Sequence, residues 1–167
     1  MVPGQFTGYF AAGTAAAGTL IGLLFVVVSL RPEAVLGDAA APHVRAVASS
    51  AFTALVNSFF VSLIALIPGT SLGYTAAVMA LLSLHRTLRL HLGLSRRTAA
   101  LAQLVLALAA YLAQLVAGVA LAIRPHAQGL VYDLAYLLIA SFAVALTRAW
   151  SLMQGMHTAE KQESQAA

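Results

Sequence analysis

Cysteine is absent from this 167-residue chain, which excludes disulfides, thiolate metal sites and cysteine nucleophiles. Charge is scarce as well, since only 8% of the residues are charged, whereas a soluble domain carries about 25%. Hydrophobic residues make up 61% of the chain, and its mean hydropathy is +0.90. There is too little charge to cover a soluble surface, so we expect lipid to be the solvent for most of the chain.

Patterns of enzyme chemistry are also lacking. The apolar segments hold no paired carboxylates, no HExxH sequence, no phosphate-binding loop and no plausible Ser-His-Asp set. The five histidines show no metal-ligand spacing. The loop over residues 31–45 is too short, at about 15 residues, to form a catalytic domain. We therefore expect no enzymatic activity, no cofactor and no metal.

Five apolar segments are long enough to form transmembrane helices, because about 20 apolar residues cross the hydrocarbon layer. Arg-Pro or Pro ends three of them, and the residue before proline disfavours helix. The third is the least certain, since Arg86 and Arg89 must snorkel to the headgroups; a re-entrant or interfacial segment is the alternative. We predict one all-α membrane domain over residues 1–150, with spans at 9–30, 46–67, 72–92, 98–123 and 130–150. A polar cytoplasmic tail, 151–167, is predicted to be disordered or a frayed extension of the last helix.

Positive charge is distributed unequally between the two ends of the predicted spans. Of the nine lysines and arginines, only Arg124 lies on the N-terminal side, and the other eight lie on the opposite side. The positive-inside rule then predicts an N-terminus outside and a C-terminus in the cytoplasm, in a bacterial inner membrane. Topology also explains the basic pI better than a nucleic-acid partner does. Four of the arginines form a cytoplasmic basic collar: Arg86, Arg89, Arg96 and Arg97. Topogenic charge accounts for this collar, and binding of anionic lipid or an acidic partner is the alternative.

Polar residues inside the second and fourth spans are candidates for a functional site. Ser50, Thr53 and Asn57 fall on one face of the second span. Gln103 and Gln114 share a face of the fourth span with small residues. These residues predict either hydrogen bonds between packed helices or a polar intramembrane path.

Three further features concern the outer end of the bundle and the packing of the first helix. Asp133 lies about one turn inside the fifth span, near Arg124 and His126. An interfacial ion pair and a proton or cation site at an outer vestibule are both compatible with this placement. Gly18 and Gly22 form a GxxxG pattern, which predicts close packing against another helix of the chain or against a second subunit.

Two stretches of the sequence, AAAGTLIGLLFVVVSL and SLIALIPGTSLG, together resemble a group of small actinobacterial multi-span membrane proteins. Some members of this group are labelled modulators of FtsH protease. The resemblance covers mainly residues 10–30 and 62–73. It implies at most a partner within the membrane and names no catalytic residue.

Two functional classes remain compatible with these patterns. The first is a small homo-oligomeric channel or transporter with a path along the polar faces of the second and fourth spans. The second is a non-conducting regulator or accessory subunit that packs against another membrane protein, such as a membrane protease. The mid-membrane depth of Asn57 and the glutamines favours the first class by a small margin.

Overall fold

A computed structural model describes residues 3–30, 32, 33, 37, 42–91 and 98–166, and side chains are described at 3–30, 32, 33, 37, 44–90 and 104–150. Over these residues the chain is all-helical, as predicted. A 3₁₀ turn, Gly4–Phe6, precedes the first helix. Five α-helices follow: α1 Thr7–Leu30, α2 Pro42–Ala65, α3 Leu72–His91, α4 Thr98–Ile123 and α5 Gln128–Ala166. The bounds agree with the predicted spans to within about one turn, and α5 continues as helix through the tail.

Four helical segments are long and apolar enough to cross a membrane: Gly4–Leu30, Val44–Ala65, Leu104–Ile123 and Gln128–Trp150. The third helix is not among them, because its second half carries Arg86 and Arg89. At about 1.5 Å per residue, its 20 residues still extend about 30 Å. Length and composition therefore fit a membrane-spanning helical bundle.

The surface of the bundle is apolar on its sides. Leu30 is 76% exposed, Ile123 73% and Val116 67%. Apolar patches of this extent are rare on soluble monomers, and contact with acyl chains explains them. Aromatic residues lie exposed near the ends of the bundle, with Tyr74 at one end and Trp150 at the other, as expected for residues at membrane interfaces.

The second helix occupies the centre of the bundle. It packs against α1, α3 and α5, and α4 closes a four-helix ring by packing against α3 and α5. Half of the α2 span is buried (50%), whereas only 11% of the α1 span is. The first helix is therefore a peripheral helix placed on the outside of the ring.

Two apolar clusters hold the two ends of the bundle together. The larger includes Phe10 of α1, Ala65 of α2, Leu72 of α3, Leu121 of α4 and Val131 of α5. It lies at the end where α1, α3 and α5 begin and where α2 and α4 finish. The smaller cluster joins α1, α2 and α5 towards the arginine-rich end. Consecutive helices thus run in opposite directions.

The turn between α2 and α3 begins where α2 ends, shortly before Pro68. Pro68 disfavours helix at the residue before it, and Gly69 adopts a positive φ of 81°, which suits glycine. The hydroxyl of Thr70 donates to the carbonyl oxygens of Ile64 at 2.8 Å and Ile67 at 2.7 Å. A hydroxyl has one proton, which the two carbonyl oxygens share, so the Thr70 side chain fastens the turn to the end of α2.

Backbone atoms of α3 and α4 approach each other closely at two glycines. A Cβ at Gly73 would lie 2.8 Å from the carbonyl oxygen of Gly118, and a Cβ at Gly118 would lie 2.6 Å from the amide nitrogen of Ala77. Real Cβ atoms do not come this near to backbone atoms. Small residues in membrane helices permit this contact, which makes α3 and α4 the most closely packed pair.

Candidate functional site

The central feature of the bundle interior is a pair of side-chain amides. Asn57 of α2 donates through Nδ2 to Oε1 of Gln114 at 2.8 Å. Gln114 of α4 donates through Nε2 to Oδ1 of Asn57 at 3.0 Å. The same nitrogen of Gln114 also donates to the carbonyl oxygen of Ala76 on α3 at 3.1 Å. This amide pair therefore joins three helices.

The amide pair lies deep in the bundle. Asn57 is 0% exposed and Gln114 1%. At about 1.5 Å per residue, Asn57 lies about 12 Å from the end of α2 at Ala65, and Gln114 about 13.5 Å from the end of α4 at Ile123. Because buried amides in lipid have no water to bond, mutual pairing is the arrangement that satisfies them. Each bond stabilises the packing by roughly 0.6 kcal/mol, rarely above about 1.7.

Two other residues of the predicted polar path have described side chains, and neither of them joins the amide pair. Thr53 is buried, and its hydroxyl donates to the carbonyl oxygen of Ser49 in its own helix at 2.8 Å. Ser50 is buried as well. The side chain of Gln103 lies outside the described part of the chain. The structure thus brings together two of the five predicted residues, Asn57 and Gln114.

Two buried serines on α2 have hydroxyl groups without a hydrogen-bond partner. Ser58 and Ser62 are both 0% exposed, and neither Oγ has a hydrogen-bond partner among the described residues. Ser62 faces Gly13 of α1, where a Cβ would lie 2.9 Å from the Ser62 Oγ. Residues four apart share a helix face, so these hydroxyls lie in the C-terminal half of α2, on the side next to α1. Burial of an unpaired hydroxyl is unfavourable by about 1–3 kcal/mol.

A buried arginine on α5 was not identified as a site residue from the sequence. Arg148 is only 5% exposed and lies close enough to Tyr111 of α4 for the two groups to interact electrostatically. The sequence carries a signal for this placement, because Leu134, Leu138, Ser141, Ala145 and Arg148 recur at intervals of four and three. All five are buried, as expected of one helical face. From the sequence alone, the position of Arg148 at the end of an apolar run predicts a role in membrane topology only.

The end of the bundle opposite the arginine-rich end carries the three residues predicted to form an ion pair or a vestibule. Asp133, Arg124 and His126 are all exposed, and within the described residues no hydrogen bond or ion pair joins them. Asp133 instead lines a groove of about 590 Å³ between α4 and α5. The groove also contains Ala113, Ala117, Val116 and Tyr136. We refer to this feature as the α4–α5 groove.

The glycines and arginines predicted to mediate contacts differ in their surroundings. A Cβ at Gly18 would lie at an ordinary 3.6 Å from the Phe59 ring, and one at Gly22 would meet nothing within 4 Å. Close backbone approach occurs at Gly73 and Gly118, as described above, and contact of Gly22 with a second subunit stays a prediction. Of the collar, Arg86 and Arg89 are exposed, whereas Arg96 and Arg97 lie outside the described residues.

No protein-family model, curated protein or solved structure matches the chain. The resemblance to the small actinobacterial membrane proteins therefore stays a prediction.

Proposed function

We propose that this protein is a non-conducting membrane subunit that packs against another membrane protein and regulates or supports it. The observation that carries this proposal is the amide pair of Asn57 and Gln114. These groups bond to each other at 2.8 and 3.0 Å and are 0% and 1% exposed. A water-lined path requires polar side chains that face water at mid-membrane depth, and these two face one another. The channel remains the alternative.

A flux measurement separates the two functions. The purified protein is reconstituted in liposomes, and ion flux is measured for the wild type and for Asn57→Leu. We expect no flux above that of empty liposomes from either protein. Flux through the wild type that Asn57→Leu abolishes would overturn the proposal in favour of a conduit along α2 and α4.

The α4–α5 groove is the surface that we assign to the partner. Asp133 places an exposed carboxylate about 7.5 Å along the helix from Gln128, and no ion pair neutralises it within the described part of the chain. Charged groups within membrane helices are unfavourable unless they are paired or reach the interface. A partner helix with an arginine, lysine or amide near its outer end would supply the missing donor. The small residues of the groove would let that helix approach closely.

Photocrosslinking tests this surface in native membranes. A photoreactive residue replaces Val116, which lines the groove and is 67% exposed. The matched control replaces Val78 of α3, a valine of similar exposure (55%) outside the groove. We expect a discrete product with a second membrane protein from position 116 alone, and its loss in Asp133→Asn. A product with the mass of two copies would support the predicted homo-oligomer and contradict the assignment to a different protein.

We further propose five crossings, with the N-terminus outside and the C-terminus in the cytoplasm of a bacterial inner membrane. The N-terminal segment contacts the start of α5, since Gln5 donates to the Tyr132 hydroxyl at 3.4 Å and Tyr9 donates to the Ala135 carbonyl at 2.6 Å. At the other end, Arg86 of α3 donates to Ser49 of α2 at 3.3 Å. The first two contacts place the starts of α1 and α5 at the same end of the bundle, which requires an even number of crossings between them. The third contact places the end of α3 beside the start of α2. Together they support an α3 that extends between the same two ends of the bundle as α2 and α4. The excess of arginine at one end supports the orientation.

A further inference from the structure

A groove with two arginines lies where α1, α2 and α3 meet at the arginine-rich end. It holds about 380 Å³, and we refer to it as the basic groove. Its walls are largely apolar and include Leu24, Val28 and Phe52. Arg45 of α2 and Arg86 of α3 also line it. The groove therefore combines an apolar surface with two positive charges.

Local contacts hold both guanidinium groups in place. Arg86 donates to the Ser49 hydroxyl at 3.3 Å, and its guanidinium carbon lies 5.8 Å from the centre of the Phe52 ring, which is within the range of a cation–π contact. Arg45 donates to the carbonyl oxygen of Gly37. A guanidinium carries five N–H donors, and each of these hydrogen bonds occupies one nitrogen of its arginine. The charges are thus positioned without being neutralised by these contacts.

The charge of the basic groove has no counterpart within its walls. None of the described residues that line it is acidic, and both arginines are exposed. The guanidinium fork matches the geometry of phosphate oxygens. An anion that reaches this place from the membrane would find two such forks beside an apolar surface.

We propose that the basic groove binds an anionic phospholipid of the leaflet on the arginine-rich side. The phosphate diester lies between Arg45 and Arg86, and an acyl chain lies along Leu24, Val28 and Phe52. Basic pockets between transmembrane helices bind anionic headgroups in this way. A zwitterionic lipid adds a cationic amine beside the two arginines and binds less well. The basic collar predicted from the sequence did not include Arg45, so the site differs from that collar.

Lipid binding to the full chain tests the proposal. Phosphatidylglycerol and phosphatidylcholine with identical acyl chains are titrated into the detergent-purified protein, and bound lipid is counted by native mass spectrometry. We expect tighter binding of phosphatidylglycerol. Each of Arg45→Ala and Arg86→Ala should lower the affinity for phosphatidylglycerol about fivefold. Each should lower the affinity for phosphatidylcholine by less, so that the preference for phosphatidylglycerol narrows. Equal binding of the two lipids by the wild type would overturn the proposal.

Three controls complete the test. Arg89→Ala removes an exposed arginine of the same helix outside the groove and should leave the preference unchanged; an equal loss would assign the effect to general basic charge and overturn the site. Glycerol 3-phosphate should not displace the lipid, whereas displacement would mark a site for soluble phosphates. Val28→Trp keeps both arginines but fills the apolar part of the basic groove, so it should weaken phosphatidylglycerol binding. This variant tests the site independently if an arginine variant fails to fold. Undiminished binding by a folded Val28→Trp would contradict the acyl-chain position.

Discussion

At the residue scale, the bond between Asn57 and Gln114 has a measurable energetic signature. Asn57→Leu leaves Oε1 of Gln114 buried without its partner, and Gln114→Met leaves both polar atoms of the Asn57 amide in the same condition. An unsatisfied buried polar group is unfavourable by about 1–3 kcal/mol. We expect each single variant to lower the free energy of unfolding by that amount, measured by denaturation in mixed detergent micelles.

The double variant, Asn57→Leu with Gln114→Met, shows whether the two amides stabilise the protein as a bonded pair or independently of each other. With both amides replaced by apolar groups, neither leaves an unpaired partner, so the loss should be smaller than the sum of the single losses. Coupling of about 0.6–1.7 kcal/mol is the range for such bonds in membrane proteins. Thr53→Val is the control, because the Thr53 hydroxyl donates to the Ser49 carbonyl oxygen of its own helix and not to the amide pair. Strict additivity of the two amide variants would show that they do not act as a pair.

The contact between Gly13 and Ser62 offers a second prediction. A Cβ at position 13 would lie 2.9 Å from the Ser62 Oγ but 3.6 Å from its Cβ. Gly13→Ala should therefore destabilise the wild type and be tolerated in Ser62→Ala, which removes a buried hydroxyl without a partner. Ser62→Ala alone should be neutral or stabilising by up to about 1 kcal/mol.

Thermal unfolding in detergent measures this coupling. Gly22→Ala, where a Cβ would meet nothing within 4 Å, provides the control for the intrinsic effect of alanine in α1. If Gly13→Ala shifted the midpoint equally in both backgrounds, the Ser62 hydroxyl would not be the group that limits the contact.

The amide pair illustrates how far side-chain contacts follow from sequence. Asn57 and Gln114 could each be recognised as polar groups within apolar runs, and hydrogen bonds between packed helices were one of two predictions. That they bond to each other depends on the relative depth and rotation of α2 and α4. The packing of the two helices sets their relative depth and rotation, and neither can be predicted from the periodicity of a single helix.

At the element scale, the contact between α3 and α4 depends on two glycines. A Cβ at Gly73 or Gly118 would meet backbone atoms of the facing helix, and backbone atoms cannot rotate away as a side chain can. Overpacking of this kind typically destabilises by about 1–3 kcal/mol or more. Gly73→Ala and Gly118→Ala should each lower the midpoint of thermal unfolding, whereas Gly22→Ala should not. Equal midpoints for all three variants would contradict the close packing of α3 and α4.

The helices themselves were predictable, but their closest contact was not. Apolar length and X-Pro boundaries placed the ends of the predicted segments within about one turn of the observed helix ends, except that α5 continues to Ala166, beyond the predicted end at 150. The GxxxG pattern at Gly18 and Gly22 predicts close packing of α1 against another helix of the chain or a second subunit. Within the described part of the chain the close backbone contact lies between Gly73 and Gly118 instead, and contact of α1 with a second subunit stays a prediction. Both of these glycines precede an alanine by four positions, at Ala77 and Ala122. Small residues at this spacing are so frequent in the chain that spacing alone could not select the pair.

At the scale of the whole molecule, the ring formed by α2, α3, α4 and α5 gives a structural role to α3, the described helix without an apolar stretch long enough to span a membrane by itself. The third helix packs against both α2 and α4, and Ala76, Ala80, Ser83 and Thr87 are buried along its length. Ser83 and Thr87 thus lie inside the bundle, and the exposed Arg86 and Arg89 lie near its arginine-rich end. A helix that packs on two spans along its whole length can be less apolar than an isolated span, because its neighbours shield part of it from lipid.

The number of membrane crossings can be measured by finding which ends and loops of the chain lie on the same side of the membrane. The chain has no cysteine, so single cysteines report their own positions. We introduce Gln5→Cys, Ser71→Cys and His126→Cys, all at exposed positions, and label intact cells with a membrane-impermeant maleimide. If α3 crosses, all three sites lie on one side and label together from outside. If α3 does not cross, position 126 moves to the side opposite positions 5 and 71, and only lysed cells label it. That second pattern would remove α3 from the spans, and it would also contradict the contact between Gln5 and Tyr132, since a chain with four crossings places these two residues near opposite faces of the bilayer.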